Sequence, residues 1–238
     1  MEKVKLFCLP FAGGNKYSYQ PYVQLAPDFL EIIPLELPGR GARIKEDLLT
    51  NLDLLVNDAF NQIKDHLSEP YAIYGHSMGS IMGYLLTKKI IESGLDQPLY
   101  LFLTGCTAPC LIYEKDIPRH SLPKDEFIER LRDLGGCPEE ILNDDSLMSF
   151  FEPILRADFE AVESYFYQET EPFDIPITVI NGLDESIPYE DALHWQAETS
   201  EKIEVRQFPG GHFFIFDFPV EIVKIISRKL NSKVLSHG

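Results

Sequence analysis

The sequence predicts an α/β fold in which a mostly parallel central sheet is flanked by helices. Six short runs rich in β-branched and aromatic residues occur along the 238-residue chain, and segments with helical spacing of apolar residues separate them. This alternation is typical of a parallel sheet that is covered by helices. In addition, the stretch Gly75-His76-Ser77-Met78-Gly79 directly follows the third run, at the carboxyl end of a predicted strand.

The predicted strands are short and strongly apolar. They cover residues 4–9, 31–37, 71–74, 99–103, 177–180 and 203–208. An apolar stripe at helical spacing runs from Leu52 to Leu67 after a possible cap at Thr50 or Asn51, and a second stripe follows Ser77 and stops near Gly94. A C-terminal helix is expected after Pro219.

A long segment separates the fourth and fifth predicted strands. Residues 107–174 are dense in helical signals and large side chains, and a segment of this length is too long to be a bare loop. It is interpreted as a helical lid inserted into a single domain of residues 1–238. Most of its aromatic side chains are expected to fill the lid's own small core, and a few to face a site beneath it.

Composition and charge exclude several classes of function. The chain is 45% hydrophobic and 25% charged, which is ordinary for a globular protein. Its net charge of −17 argues against nucleic-acid or anionic-membrane surfaces, because phosphate binding requires clustered Lys and Arg. No basic and apolar leader and no long apolar run is found, so a soluble, cytoplasmic protein is expected.

The four cysteines lack the spacing of a metal site. Free thiols are the favoured interpretation, and neither a metal nor a cofactor is expected. They are Cys8, Cys106, Cys110 and Cys137.

Ser77 fits the G-x-S-x-G nucleophile elbow, a sharp turn between strand and helix that lifts a hydroxyl above a parallel sheet. Glycines stand two positions to either side because the turn leaves no room for a Cβ there. Gly and Ser are also common in ordinary turns, so a strand-ending loop is the alternative to a nucleophile.

A nucleophilic serine needs a base and an acid, in the chain order serine, acid, histidine. His212 follows the last strand in a glycine-rich loop, which could bring its imidazole to the top of the sheet. His76 adjoins the serine, so its side chain is expected to point away from the hydroxyl. The other histidines are expected to be solvated; they are His66, His120, His194 and His237.

The acid is expected just after the fifth strand, where Asp184 and Glu185 are adjacent. Its task is to accept the imidazole N–H and to stabilise the imidazolium. An oxyanion hole is also required, and the N–H of Met78, the residue after the nucleophile, supplies one donor. The second is expected from the loop of residues 9–14. This loop lacks the Lys and Ser/Thr of a P-loop, so acyl transfer is favoured over phosphate binding.

Four motifs taken together resemble a known family. They are Pro10-Phe11-Ala12-Gly13-Gly14, Leu37-Pro38-Gly39-Arg40-Gly41, Gly75-His76-Ser77-Met78-Gly79 and Gly210-Gly211-His212, each placed after a predicted strand. The chain is similar over essentially its whole length to the type II thioesterases, stand-alone α/β-hydrolases that accompany nonribosomal peptide and polyketide synthases. The phrase Leu155-Arg156-Ala157-Asp158-Phe159 in the predicted lid adds to the resemblance.

The resemblance implies hydrolysis of acyl thioesters from the phosphopantetheine arm of carrier proteins, which removes stalled or mis-primed groups. It implies Ser77 as nucleophile, His212 as base, and Met78 with Ala12 or Phe11 as oxyanion donors. The family usually has Asp three residues after the glycine that follows the fifth strand. That position is Glu185 here, so Glu185 is preferred and Asp184 stays open.

Two alternatives remain at this point: a small-molecule serine esterase on the same fold, and a non-catalytic binding protein on a hydrolase scaffold. The partner implied is an acidic carrier protein, and a monomer is expected. Local cations would then steer docking, unless they only form a solvated face. The candidates are Arg40, Arg43 and Lys45 after the second strand, and Lys115, Arg119 and His120 in the predicted lid.

Overall fold

The structure, a computed structural model, describes residues 3–112 and 118–237. Its strands form one six-stranded sheet in the order β2-β1-β3-β4-β5-β6, and every adjacent pair is parallel. The strands are β1 (Val4–Leu9), β2 (Leu30–Pro34), β3 (Tyr71–His76), β4 (Leu101–Thr104), β5 (Ile177–Gly182) and β6 (Glu204–Phe208). The predicted α/β fold with a parallel sheet is confirmed.

The strand bounds differ from the predicted ones at a few positions. β2 ends at Pro34 rather than at Leu37, although the Leu35 N–H still donates to the Cys8 carbonyl oxygen of β1 at 2.9 Å. β3 and β5 extend two residues further than predicted, to His76 and Gly182.

Helices connect the strands and cover both faces of the sheet. They are α1 (Gln20–Leu25), α2 (Leu52–Ile63), α3 (Met78–Glu92), α4 (Lys124–Leu134), α5 (Glu139–Leu142), α6 (Asp145–Glu163), α7 (Tyr189–Leu193) and α8 (Pro219–His237). The Asn51 side chain caps α2 by accepting the N–H groups of Asp53 and Leu54. Of the two caps that the sequence allowed, the structure therefore has Asn51.

Alternation along each buried strand supplies two cores, one on each face of the sheet. In β1, Phe7 and Leu9 pack towards α2 and α3, whereas Leu6 and Cys8 pack towards α1 and α8. Both sets are almost completely buried. The sheet is thus held rigidly between two layers of helices, which suits it to position groups at its carboxyl edge.

The segment between β4 and β5 contains α4, α5 and α6. A small third core is formed by Phe127, Leu131, Leu142, Met148 and Phe159. Of the segment's described aromatic side chains, only Phe127 and Phe159 belong to this core, so the expectation that most of them fill it is wrong. Phe150 and Phe166 belong to none of the three cores, since they are 52% and 68% exposed. That the segment acts as a lid stays a prediction.

The direction of strand order reverses between β1 and β3. β2 lies to one side of β1, whereas β3 to β6 follow one another on the other side. In open parallel sheets, ligands bind beyond the carboxyl ends of the strands at this switch point. The loop after β1 and the turn after β3 meet there, because Leu9 of β1 is paired with Gly75 of β3.

Candidate active site

Ser77 occupies a sharp turn between β3 and α3. Its φ of 55° and ψ of −118° make it the one non-glycine residue with positive φ in the described chain. Its N–H donates to the Thr104 carbonyl oxygen at 2.8 Å, and its own carbonyl oxygen accepts the Ser80 N–H at 2.9 Å. The backbone is thus held in a conformation that is costly for a residue with a Cβ.

The two glycines of the turn are required by close packing. A Cβ on Gly75 would lie 2.1 Å from the Gly79 carbonyl oxygen, and one on Gly79 would lie 2.4 Å from the Leu9 carbonyl oxygen. The Ser80 hydroxyl supports the same turn, since its Oγ lies 2.9 Å from the carbonyl oxygens of both Gly75 in β3 and Thr104 in β4. The spacing of the G-x-S-x-G pattern therefore has the steric origin inferred from the sequence.

His212 and Glu185 are brought together from the loops that follow β6 and β5. The Nδ1 atom of His212 lies 2.7 Å from Oε2 of Glu185, whose side chain is 2% exposed. The other carboxylate oxygen of Glu185 accepts the N–H of Gly182. The imidazole is therefore held at one nitrogen by a buried, hydrogen-bonded carboxylate.

The neighbouring Asp184 is placed differently. Its side chain is exposed, and its backbone N–H donates to the Gly210 carbonyl oxygen at 3.0 Å. The two loops are in close contact here, since a Cβ on Gly182 would lie 2.5 Å from the carbonyl oxygens of Gly210 and Gly211. Of the two adjacent carboxylates, only Glu185 contacts the His212 ring.

A third ring, His76, completes this cluster. Its centroid lies 4.8 Å from that of His212, and its Nδ1 lies 3.0 Å from Oγ1 of Thr104. Complete burial and, secondarily, electrostatic interaction with His212 lower the pKa of His76 well below its ordinary value. His76 is therefore neutral at physiological pH.

Gly105, at the end of β4, makes room for both rings. Its φ is +58°, and a Cβ there would lie 2.3 Å from Cε1 of His76 and 3.2 Å from Cε1 of His212. Nothing in the sequence analysis pointed to this glycine. Its position after a buried strand at the carboxyl edge of the sheet was the available signal.

The predicted oxyanion donors lie at the carboxyl ends of β1 and β3. Met78 is the first residue of α3, where an N–H has no acceptor within its own helix. The Ala12 N–H has no hydrogen-bond partner among the described residues. The Phe11 carbonyl oxygen accepts the Gly14 N–H at 2.8 Å, and the Phe11 ring packs edge-on against His76 and Phe213.

A cavity of about 470 Å³ opens above Ser77. Ala12, Ser77 and Met78 lie along it, together with Gly105 and Cys106 from the end of β4. Burial raises the pKa of the Cys106 thiol to about 12, so this cysteine is protonated at physiological pH. The rest of the wall is mostly apolar and includes Ile81, Leu111, Ile112, Phe159, Val162 and Ile187.

One edge of the cavity is charged. Arg119 and Glu163 line it, with Nε of Arg119 3.8 Å from Oε1 of Glu163. His120 was expected to be solvated, which is wrong: its Nδ1 lies 3.0 Å from Oε2 of Glu163, and its ring is about one-quarter exposed. The cause is tertiary, because α6 brings Glu163 against the short helical turn that contains His120.

The cations predicted to steer a partner are placed unequally. Arg40 is 2% exposed and paired with Asp158, so its assignment as a docking residue is wrong. Arg43 is paired with Asp58 and Glu46, whereas Lys45 is exposed. Lys115 lies outside the described residues.

Among the described residues, no group of three or more His, Cys, Asp or Glu side chains is arranged to hold a metal ion. Cys8, Cys106, Cys110 and Cys137 are free thiols. None of the helices within the described ranges is long and apolar enough to cross a membrane.

Comparison with known protein families shows the family to which this chain belongs. The model of the thioesterase domain matches residues 4–230. The chain belongs to the thioesterase domain family. The serine turn, the histidine loop and the segment between β4 and β5 all lie within the matched range.

Three known proteins are similar to this chain along nearly their full length. The gramicidin S biosynthesis protein GrsT of Aneurinibacillus migulanus is 35% identical over 229 residues, which cover 96% of this chain and 89% of that protein. ClbQ from the colibactin NRPS/PKS pathway has a TM-score of 0.92 at 30% identity and covers 99% of this chain and 100% of its own. BorB, the type II thioesterase from the borrelidin biosynthetic cluster, has a TM-score of 0.87 at 29% identity, with 96% and 93% covered. This thioesterase is accordingly a serine hydrolase that acts on thioesters.

Proposed function

We propose that the protein is an editing thioesterase that hydrolyses acyl groups from the phosphopantetheine arm of carrier proteins in nonribosomal peptide or polyketide synthesis. The observation that carries the proposal is a serine in a sharp turn on the wall of a mostly apolar cavity, in a chain of the thioesterase family. The imidazole of His212, in contact with Glu185, lies beside Gly105 on the same wall. Relatives named for gramicidin S biosynthesis and for the colibactin and borrelidin pathways support the biosynthetic setting.

The proposed reaction has two halves. Ser77 Oγ attacks the thioester carbonyl carbon while His212 takes the hydroxyl proton, and the carbon–sulfur bond then breaks. The pantetheine sulfur leaves as a thiol with the proton returned by His212. A water molecule, deprotonated by His212, attacks the acyl-serine and releases a free acid, which restores Ser77.

Each remaining group has a proposed part in these steps. Glu185 accepts the Nδ1–H of His212, which fixes the tautomer and stabilises the imidazolium. The N–H groups of Met78 and Ala12 are assigned to the oxyanion that forms on the attacked carbonyl. Ala12 is preferred to Phe11 because Ala12 lines the cavity beside Ser77.

The experiment is hydrolysis of acetyl and longer acyl groups from a phosphopantetheinyl carrier protein, compared with the matched free pantetheine thioesters. Native protein is measured beside Ser77→Ala and the control Ser93→Ala, an exposed serine that follows the other end of the same helix. The proposal predicts turnover that requires Ser77, is unchanged in Ser93→Ala, and is faster on the carrier than on the free thioester.

Other outcomes contradict the proposal in distinct ways. Activity that depends on Ser77 but is confined to small oxygen esters would identify an esterase. Equal rates on carrier-bound and free thioesters would retain thioester hydrolysis but reject the carrier as partner.

Docking of the acidic carrier is proposed to use exposed cations. Lys45 is the exposed member of the predicted set near β2. Lys45→Glu is expected to raise KM for the carrier-bound substrate several-fold, because like charges repel across the interface, and to leave the free thioester unaffected. If the native protein and Lys45→Glu have the same KM for the carrier-bound substrate, Lys45 does not belong to the docking surface.

A further inference from the structure

The buried ion pair between Arg40 and Asp158 joins three distant parts of the chain. Two parallel hydrogen bonds of 2.6 and 2.7 Å connect the guanidinium to the two carboxylate oxygens. The side chains are 3% and 0% exposed. Asp158 belongs to α6, Arg40 to the loop after β2, and the pair lies against the loop after β1.

Asp158 also accepts a backbone hydrogen bond from that third segment. The Gly13 N–H donates to its Oδ2 at 2.7 Å, while Nη1 of Arg40 donates to the Gly14 carbonyl oxygen at 3.3 Å. The ion pair is therefore hydrogen-bonded to the two residues that follow Ala12, the proposed oxyanion donor. Because both charges are buried, this arrangement needs each of its hydrogen bonds.

The hydrogen bond to Asp158 comes from the central peptide of a β-turn, and the direction of this peptide defines the turn type. Residues 11–14 form a β-turn closed by the Gly14 N–H and the Phe11 carbonyl oxygen, and Gly13 has φ +77°. Positive φ at the third residue alone makes this a type II turn, which differs from type I by reversal of the central peptide. Asp158 receives the N–H of that central peptide, between Ala12 and Gly13, and so holds it in the type II direction.

We infer that Asp158, held in place by Arg40, is a positioning residue for the oxyanion turn and acts on catalysis through the Gly13 N–H. The inference rests on the proposed function, in which the Ala12 N–H stabilises the oxyanion. Reversal of the Ala12–Gly13 peptide would turn a carbonyl oxygen towards Asp158 and shift the Ala12 backbone away from Ser77. A donor misplaced in this way loses most of its effect, because stabilisation of the oxyanion depends on preorganised geometry.

Positioning of the turn by Asp158 gives α6 a part in forming the active site. Leu155, nearly one turn before Asp158 on α6, packs so closely on the turn that a Cβ on Gly13 would lie 2.5 Å from its Cδ2 atom. Any displacement of α6 would therefore withdraw both the acceptor and the apolar support from the turn. α6 would then affect the rate of reaction through its contacts with this turn.

Two double variants separate positioning from simple structural support. Single replacements would leave one buried charge unpaired and destabilise the fold regardless of catalysis. Arg40→Met with Asp158→Leu removes both charges and the acceptor for the Gly13 N–H. Arg40→Gln with Asp158→Asn removes both charges but retains an amide oxygen that can accept this N–H.

Each double variant is assayed with a free acyl-pantetheine thioester, and its Tm and its affinity for an alkylboronic acid are measured. The boronic acid forms a tetrahedral adduct on serine and tests the oxyanion donors without turnover. For the Met/Leu variant we expect kcat to fall about 30-fold or more with KM within threefold, and boronate affinity to fall in parallel. The Gln/Asn variant should lose no more than about threefold in kcat at a similar Tm.

Equal kcat and equal boronate affinity in the two double variants would overturn the inference, as would an effect confined to KM. If the Met/Leu variant does not fold, Asp158→Glu serves instead, since it keeps the charge opposite Arg40 but displaces the acceptor by one methylene. A kcat about tenfold lower at unchanged KM is then expected, and native kcat would overturn the inference. If Ser77→Ala keeps the turnover of the native protein, the proposed function is rejected. The positioning role of Asp158 is then rejected with it.

Discussion

Glu185 and His212 form a buried pair in which Oε2 of the carboxylate lies 2.7 Å from Nδ1 of the imidazole. Glu185 has a methylene more than the aspartate that is usual in such sites, and its second oxygen is held by the Gly182 N–H. The longer side chain therefore reaches the ring from a loop position three residues after the end of β5.

This pairing predicts unequal effects of two neighbouring substitutions. Glu185→Gln should lower kcat by about 10²- to 10⁴-fold, because an amide cannot hold the imidazole in the required tautomer or stabilise the imidazolium. Asp184→Asn should change kcat less than twofold, since its side chain is exposed. Steady-state kinetics on a free thioester test both, and equal losses would contradict the assignment of the acid.

The strained backbone of Ser77 predicts a conflict between stability and activity. A φ of 55° is unfavourable for any residue with a Cβ, whereas glycine adopts it readily. Ser77→Gly should therefore be about 1 kcal/mol more stable than Ser77→Ala, even after the greater entropy of glycine in the unfolded chain is included. Both variants should be inactive. Urea unfolding measures the difference, and an alanine variant as stable as the glycine variant would exclude strain at this site.

The neutral, buried His76 predicts a loss of stability in acid. Its pKa is lowered in the folded protein by burial and by His212, so below about pH 6.5 the unfolded chain binds a proton that the folded chain does not. The free energy of unfolding should consequently fall as pH drops, by up to about 1.4 kcal/mol per pH unit from this group.

His76→Gln removes this titration while retaining a group able to bond with Thr104. Its stability is expected to be lower at pH 7.5 but to decline less steeply than that of the native protein between pH 6.5 and 5. Unfolding curves across this range give both slopes. Parallel slopes would show that His76 is protonated in the folded protein.

The apolar wall of the cavity predicts control of acyl-chain length. Val162, near the C-terminal end of α6, lines the cavity above Ser77. Val162→Phe should lower kcat/KM for octanoyl thioesters about tenfold and for acetyl thioesters less than threefold, because added volume excludes longer chains first. Leu147→Phe, on the exposed part of the same helix, is the matched control. Equal loss for both chain lengths would place the acyl group elsewhere.

Features that depend on nearby residues could be predicted from the sequence. The six strands follow from apolar runs, and the serine turn follows from glycines at positions where a Cβ would collide with backbone 2.1 to 2.4 Å away. Such requirements are local, because they concern backbone conformation and contacts between adjoining elements. The loop positions of Ser77 and His212 at the carboxyl edge of the sheet follow from the same pattern of alternating strands and helices.

Pairing between side chains could not be derived in this way. Asp184 and Glu185 are adjacent and chemically alike, and only the packing of the loop after β6 on the end of β5 leaves one exposed and the other against His212. The loop position of Arg40 predicts a cation on the surface. Arg40 is instead buried and paired with Asp158, 118 residues later in the chain. Local sequence limits the backbone to a few conformations, whereas the partner of a charged side chain is set by which distant segments pack against it. For this protein, the contact of Glu185 with His212 and the ion pair of Arg40 with Asp158 beside the turn of residues 11–14 both arise from that packing.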